Sequence, residues 1–255
     1  MLIPGLVSVS FRSLSPREIV ALMNACGLQS VEWGSDVHAR CDDPDALRAI
    51  AQLQRDTGVT CCSYGTYFRL GADPAEGILP YIAAARTLGT DILRVWCGHQ
   101  SYAKYTPSEK TRLLDACRAV ARIAQEEGVT VCLECHHNTY TEELPGALEL
   151  MEAVQSDHFR MYWQPNQYKT QEINLEYARR IAPYVTQLHV FHWEGDAHYP
   201  LALGMNKWLE YLPVFTGDHH LLLEFMPDGR PESLAGEVHS LRALIAQTGA
   251  QPETR

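Results

Sequence analysis

The chain has 255 residues, 46% of them hydrophobic, and a formal net charge of −10. That length suffices for one domain with a proper core, the composition excludes a disordered chain, and the acidity disfavours a nucleic-acid partner. No apolar run approaches the roughly 20 residues that span a bilayer, so no membrane partner is expected.

The opening residues, Met1 to Phe11, lack a basic n-region and a small-residue cleavage site, and read as a strand rather than a signal peptide. Eight cysteines without an export signal predict buried free thiols in a reducing cytoplasm. Cys132 and Cys135 have CxxC spacing. They lie within one expected strand, where a three-residue separation points them to opposite faces, which argues against a redox or zinc-knuckle pair.

Apolar strand-like runs alternate with amphipathic helix-like runs along the whole chain. The first strand is expected near Leu6–Phe11. A helix follows, with Ser15 as N-cap, Pro16 at N1, Glu18 at N3 and Gly27 as its stop. The second strand is expected at Ser30–Gly34, then a helix from Asp43-Pro44 to Gly58. The third is expected at Val59–Tyr64, with a helix near Ile78–Leu88 ending at Gly89. The fourth is Ile92–Cys97, followed by a long helix from Pro107 to Gly128. The fifth is Thr130–Cys135, with a helix near Leu144–Val154. The sixth is Arg160–Gln164, with a helix near Leu175–Ile181. The seventh is Thr186–Phe191, with a short helix near Asn206–Tyr211. The eighth is His220–Phe225, and a closing helix runs from Ser233 to about Gln247.

These are eight β-then-α units of about 32 residues each, the usual size for a (β/α)₈ barrel. A doubly wound sheet also alternates strands and helices. The count of eight and the lack of a GxGxxG after any strand favour the barrel, as a single domain over residues 1–255.

Barrel chemistry sits at the C-terminal strand ends. The fifth strand runs into Glu134, the sixth into Gln164, the seventh carries His189 and the eighth runs into Glu224, at spacings of 30, 25 and 35 residues. Glu224 follows Leu221-Leu222-Leu223, and Glu134 follows Val131-Cys132-Leu133. A carboxylate there is costly to bury unless it is paired or metal-bound. Two carboxylates and an imidazole suit manganese, zinc or magnesium.

A second group of polar and aromatic residues follows the earlier strands: Glu32 to His38, Tyr64 to Arg69, and Arg94-Val95-Trp96. Rings among polar groups suit a sugar, and Arg69 or Arg94 suits a carboxylate or phosphate. The residues expected to bind substrate are His38, Arg69, Trp96, His136 and Asn166. His137, His192 and His198 read as outer or solvated groups near the same rim, and His219 and His239 as surface residues.

The Leu-Glu on strand five, the His on strand seven and the Leu-Leu-Glu on strand eight resemble the xylose-isomerase-like barrels. In strand order the resemblance covers essentially the whole chain; its specific motifs lie in the second half. It implies one metal held by Glu134, Gln164, His189 and Glu224, with Gln164 standing where that superfamily usually has Asp. It also implies that Glu134 and Glu224 are the acid–base pair.

The expected function is a divalent-metal-dependent isomerase or epimerase that acts on a keto-sugar or sugar derivative through an enediolate. The alternatives are a metal-dependent lyase on an oxidised sugar acid, and a sugar-binding barrel without catalysis, which the uncharged Gln164 supports. A DNA-repair endonuclease, also in that superfamily, fits the acidic balance poorly. A small carbohydrate is the expected partner, and a homo-oligomer is compatible with the sequence.

Overall fold

The computed structural model describes residues 1–249. Eight parallel strands close a barrel: β1 (Leu2–Val7), β2 (Ser30–Gly34), β3 (Thr60–Leu70), β4 (Ile92–Cys97), β5 (Thr130–Leu133), β6 (Phe159–Trp163), β7 (Val185–Val190) and, last in the chain, β10 (His219–Leu223). Between β7 and β10 an antiparallel hairpin is inserted, β8 (His192–Glu194) and β9 (Ala197–Tyr199). Pairing of β1 with both β2 and β10 closes the ring.

Around it lie α1 (Pro16–Ala25), α2 (Pro44–Thr57), α3 (Leu79–Leu88), α4 (Pro107–Glu127), α5 (Leu144–Val154), α6 (Gln171–Ile181), α7 (Met205–Tyr211) and α8 (Leu234–Gly249). Their starts follow from local chemistry. Ser15 with Glu18, and Thr106 with Glu109, form reciprocal capping boxes, while Asp43 and Thr170 cap α2 and α6. Gly58, Gly89 and Gly128 end α2, α3 and α4 in the left-handed conformation, where the sequence pattern places the stops.

The period of two along each strand sorts the side chains. Val31, Trp33, Leu93, Val95, Val131, Leu133, Met161, Trp163, Leu188, Val190, Leu221 and Leu223 face the helices in the main core. Val7, Cys132, Tyr162 and Leu222 form a small separate cluster inside the barrel. Cys132 thus points inward and Cys135 outward, and all eight cysteines are free. Among the described residues no helix is long and apolar enough to cross a membrane.

Besides shifts of a few residues at other element ends, the structure departs from expectation at the first and third strands, at an inserted hairpin and at His219. The first strand ends at Val7, and Ser8–Phe11 form a 3₁₀ turn. There the serine hydroxyls leave the ladder: Ser8 Oγ accepts from the Gly34 N–H, and Ser10 Oγ from the Phe225 N–H. The third strand runs on to Leu70, past an irregularity in its pairing with β4 that brings Arg69 opposite Trp96. The hairpin β8–β9 falls where the sequence suggested only a strand end, turning at Gly195. His219, expected at the surface, is buried with both ring nitrogens against the Thr186 and Thr216 carbonyls.

Candidate metal centre

The same alternation that buries the leucines carries a polar set to one end of the barrel interior. Glu134, Gln164 and Glu224 lie just past the C-termini of β5, β6 and β10, and His189 lies on β7 opposite Leu222. Around Nδ1 of His189 sit Gln164 Oε1 at 2.9 Å, Glu134 Oε1 at 3.4 Å and Glu224 Oε2 at 3.4 Å. One donor atom each from Glu134, His189 and Glu224 fits within 4.8 Å of the others. All four side chains are buried.

Two charged residues join this cluster that the sequence reading did not place in it. Glu32, fully buried, takes a hydrogen bond from Arg94 Nε at 2.8 Å and another from Ser63 Oγ at 2.9 Å. Its Oε2 lies 3.6 Å from Nε2 of His189, which has no hydrogen-bond partner. Arg94 also donates through Nη1 to Oε2 of Glu134, the oxygen that takes the indole N–H of Trp96. Arg94 therefore bridges two buried carboxylates rather than offering itself to a substrate anion.

Both residues were legible by the criterion that singled out Glu134 and Glu224. Each is a lone charge inside an apolar run, Val31-Glu32-Trp33 and Leu93-Arg94-Val95. Gly65 on β3 gives them room: a Cβ there would lie 2.5 Å from Glu32 Oε1 and 2.7 Å from Arg94 Nη2.

The electrostatics follow from burial opposed by pairing. Burial raises the Glu32 carboxyl, but Arg94 and then His189 outweigh it and hold it at about 2. The same opposition holds Glu134 well below the ordinary carboxylate range, with Arg94 the largest counter-influence. Burial disfavours the His189 imidazolium, yet Glu224, Glu32 and Glu134 raise it well above its usual value.

The donor set fits a divalent ion. Ligands bound at about 2.1 Å in tetrahedral or octahedral geometry lie about 3.0–3.4 Å apart, the separations seen around Nδ1. Formally, three carboxylates and one guanidinium leave two negative charges for one dication when His189 is neutral. Gln164 Oε1, 2.9 Å from Nδ1, can accept a hydrogen bond from it when Nδ1 carries a proton.

The residues expected to bind substrate divide. Trp96, Arg69 and His136 come together beside Glu134. His136 stacks on Trp96 at 4.9 Å between ring centroids, and the Arg69 guanidinium lies 4.4 Å from the indole centroid. Tyr67 leans on the same indole at 5.2 Å.

His38 is not brought to this wall. Its Nδ1 meets Ser8 Oγ at 3.0 Å and its Nε2 meets the Leu14 carbonyl at 3.1 Å, so both ring nitrogens are partnered. Since the carbonyl only accepts, Nε2 carries the proton, and burial pushes the ring toward that neutral form.

Asn166 is clamped through its own peptide by the Asn174 side chain, leaving its Nδ2 without a partner. It lines a groove of about 470 Å³ with Glu142, Lys169 and Tyr177. Of the four expected ligands only Gln164 borders this groove, so it adjoins the cluster rather than containing it.

The profile of the xylose isomerase-like TIM barrel family matches residues 20–243, and the chain belongs to that family. A search of curated protein sequences finds no significant match. Solved structures share the fold. The probable 3-DHS dehydratase AsbF of Bacillus anthracis has a TM-score of 0.74 at 15% identity, covering 95% of this chain and 99% of its own. An L-ribulose 3-epimerase has a TM-score of 0.71 at 16% identity, covering all of both chains. The IOLI protein, solved with a bound zinc atom, has a TM-score of 0.69 at 13% identity, covering 99% of this chain and 100% of its own.

Proposed function

We propose that the protein is a divalent-metal-dependent enzyme that isomerises or epimerises a keto-sugar or related carbohydrate through an enediolate. The observation that carries this reading is the convergence of three oxygens within 3.4 Å of His189 Nδ1. Glu134, His189 and Glu224, with Gln164 as a neutral fourth ligand, would hold manganese, magnesium or zinc. The ion supplies the positive charge that the carbonyl oxygen needs as a neighbouring C–H bond breaks. A carboxylate at the site takes and returns the carbon-bound proton. The Trp96 wall, with Tyr67 and His136, offers an aromatic face to the sugar ring, and Asn166 Nδ2 offers an unused donor at the adjoining groove. The free thiols suit a reducing cytoplasm.

Metal analysis of the purified protein, followed by a manganese-supplemented screen of ketoses for isomerised product, tests this. Stoichiometric metal with turnover supports it; absence of both contradicts it.

One observation favours a lyase acting on an oxidised sugar acid as second reading. Among the described residues Arg69 makes no salt bridge, and it stands at the rim over Trp96, where it can receive a carboxylate. Loss of water or carbon dioxide from a sugar acid, without isomerised product, would decide for it.

A further inference from the structure

The groove beside the cluster is walled by apolar side chains from two helices. Leu144 and Pro145 open α5 on one side. Ile173 and Tyr177, four residues apart on one face of α6, stand on the other. Its volume of about 470 Å³ is that of a small-molecule site. Ile173 remains 53% exposed there, although Tyr177, Ala178 and Ile181 of the same helix are buried.

The groove has little to offer the hydroxyls of a sugar. The Tyr177 hydroxyl donates to the Thr141 carbonyl at 2.7 Å, and the Cys135 thiol lies 3.0 Å from the Tyr162 carbonyl. Glu142 is buried and takes the Asn138 N–H. Two amide groups remain. Gln164 uses only its Oε1, toward His189, and Asn166 Nδ2 has no partner. Both residues are more than nine-tenths buried and follow β6, and Gln164 is where the groove meets the cluster. Four carboxylates, Glu142, Glu143, Glu172 and Glu176, border the groove against one cation, Lys169. That excess repels an anionic group and favours a neutral one.

Resting on the function proposed above, we propose that the groove between α5 and α6 takes a neutral, apolar substituent carried by the sugar. The sugar ring itself lies against Trp96, beside the cluster. The substrate is then a glycoside or ether of an apolar alcohol or phenol rather than a free monosaccharide. Gln164 marks the boundary. Its Oε1 faces His189, and its unpaired Nε2–H₂ donates to the oxygen that joins sugar to substituent. That oxygen lies outside the enediolate, so the substituent leaves the proton transfer untouched.

Calorimetric titration of the full chain, as purified, with 4-nitrophenyl β-D-glucoside, methyl β-D-glucoside and 4-nitrophenol tests this without turnover. The aryl glycoside should bind roughly tenfold or more tighter than the methyl glycoside, since its ring covers apolar wall. The phenol alone should bind more weakly than its glycoside. Equal affinities for the two glycosides, or no binding of either, overturn the proposal. So does a phenol that binds as tightly as its glycoside, because the groove would then work apart from the sugar site.

Ile173→Glu, a change at a half-exposed position, should bring the two glycosides to equal affinity, with a thermal melt confirming the fold. Ile173→Ser, a milder change, should lose part of the preference. Tight aryl binding that survives both variants lies elsewhere and overturns the assignment to this groove. The outcomes separate from those for the metal reading. Ketose turnover with equal glycoside affinities removes the groove and keeps the enzyme. An aryl preference that Ile173→Glu abolishes, in a protein that holds no metal, keeps the groove and removes the metal-dependent reading.

Discussion

Oε2 of Glu32 lies 3.6 Å from Nε2 of His189, on the side of the imidazole away from Gln164, Glu134 and Glu224. Arg94 then joins Glu32 to Glu134, and Glu134 Oε1 returns to His189 Nδ1, so the four residues form a closed ring of opposite charges. A carboxylate behind a ligating histidine fixes its tautomer, with the proton on Nε2 and the lone pair on Nδ1 facing the ion. If His189 ligates an ion through Nδ1, Glu32 is the carboxylate placed to favour the proton on Nε2, although at 3.6 Å the two make no direct hydrogen bond.

Glu32→Gln should therefore weaken manganese binding by roughly tenfold to a hundredfold, although Glu32 is not itself placed as a ligand. It also leaves Arg94 with one buried carboxylate instead of two, so stability should drop by up to about 3–5 kcal/mol. Calorimetric titration and denaturant unfolding of the same variant separate the two effects. Wild-type affinity in a destabilised protein would restrict Glu32 to a structural role.

Metal binding should be pH-dependent with a defined sign. In the metal-free protein the His189 imidazole is raised well above its ordinary value by Glu224, Glu32 and Glu134, which together outweigh burial. The ion must displace that proton, so affinity should fall as pH drops below the raised value, by about tenfold per unit. Binding should release close to one proton, measurable from titrations in buffers of different ionisation enthalpy.

Stability without metal has two windows. The His189 contribution is complete below its ordinary value of 6.5 and fades as pH rises through the raised one. The Glu32 contribution is complete above 4.5 and is lost as pH falls toward about 2. Melting curves across pH check both; an acid-side loss that is absent from Glu32→Gln assigns it.

Gly65→Ala should act at a distance from any ligand. The added methyl would press on Glu32 Oε1 and Arg94 Nη2, neither of which is the free end of a mobile chain. Overpacking of this kind costs about 1–3 kcal/mol, and the shifted pair should loosen His189 and lower manganese affinity. A melting point and affinity equal to wild type would show that the ion pair can yield.

Much of this was legible in the chain itself. Eight strand-helix units, the helix starts at Ser15, Asp43-Pro44 and Pro107, and the stops at Gly58, Gly89 and Gly128 carry the barrel without tertiary information. The convergence of Glu134, Gln164, His189 and Glu224 follows from their position at strand ends. What escaped depends on contacts distant in sequence. Glu32 and Arg94 declare their charge inside apolar strands, but only barrel closure shows that they face each other across Gly65. His38 has the composition of a rim ligand, yet the 3₁₀ turn at Ser8–Phe11 and the Leu14 carbonyl take both its nitrogens. The β8–β9 hairpin left only Gly195 as a signal, since three-residue strands carry too few alternations to be read.

Gln164→Asp adds a charge where Gln164 Oε1 now meets His189 Nδ1 at 2.9 Å. Manganese affinity should rise, by about tenfold or more given a carboxylate in place of an amide carbonyl. The metal-free protein should lose stability, because the new carboxylate joins Glu134 and Glu224. Equal affinities in the two proteins would remove Gln164 from the ligand set.

Crystals grown with manganese give an anomalous-scattering map that shows whether Glu134, His189 and Glu224 hold one divalent ion. A single strong peak within about 2.4 Å of Glu134 Oε1, His189 Nδ1 and Glu224 Oε2 is expected, with Nε2 of His189 still directed at Glu32. No peak between these atoms, with Gln164 Oε1 still facing Nδ1, would contradict metal binding by these residues.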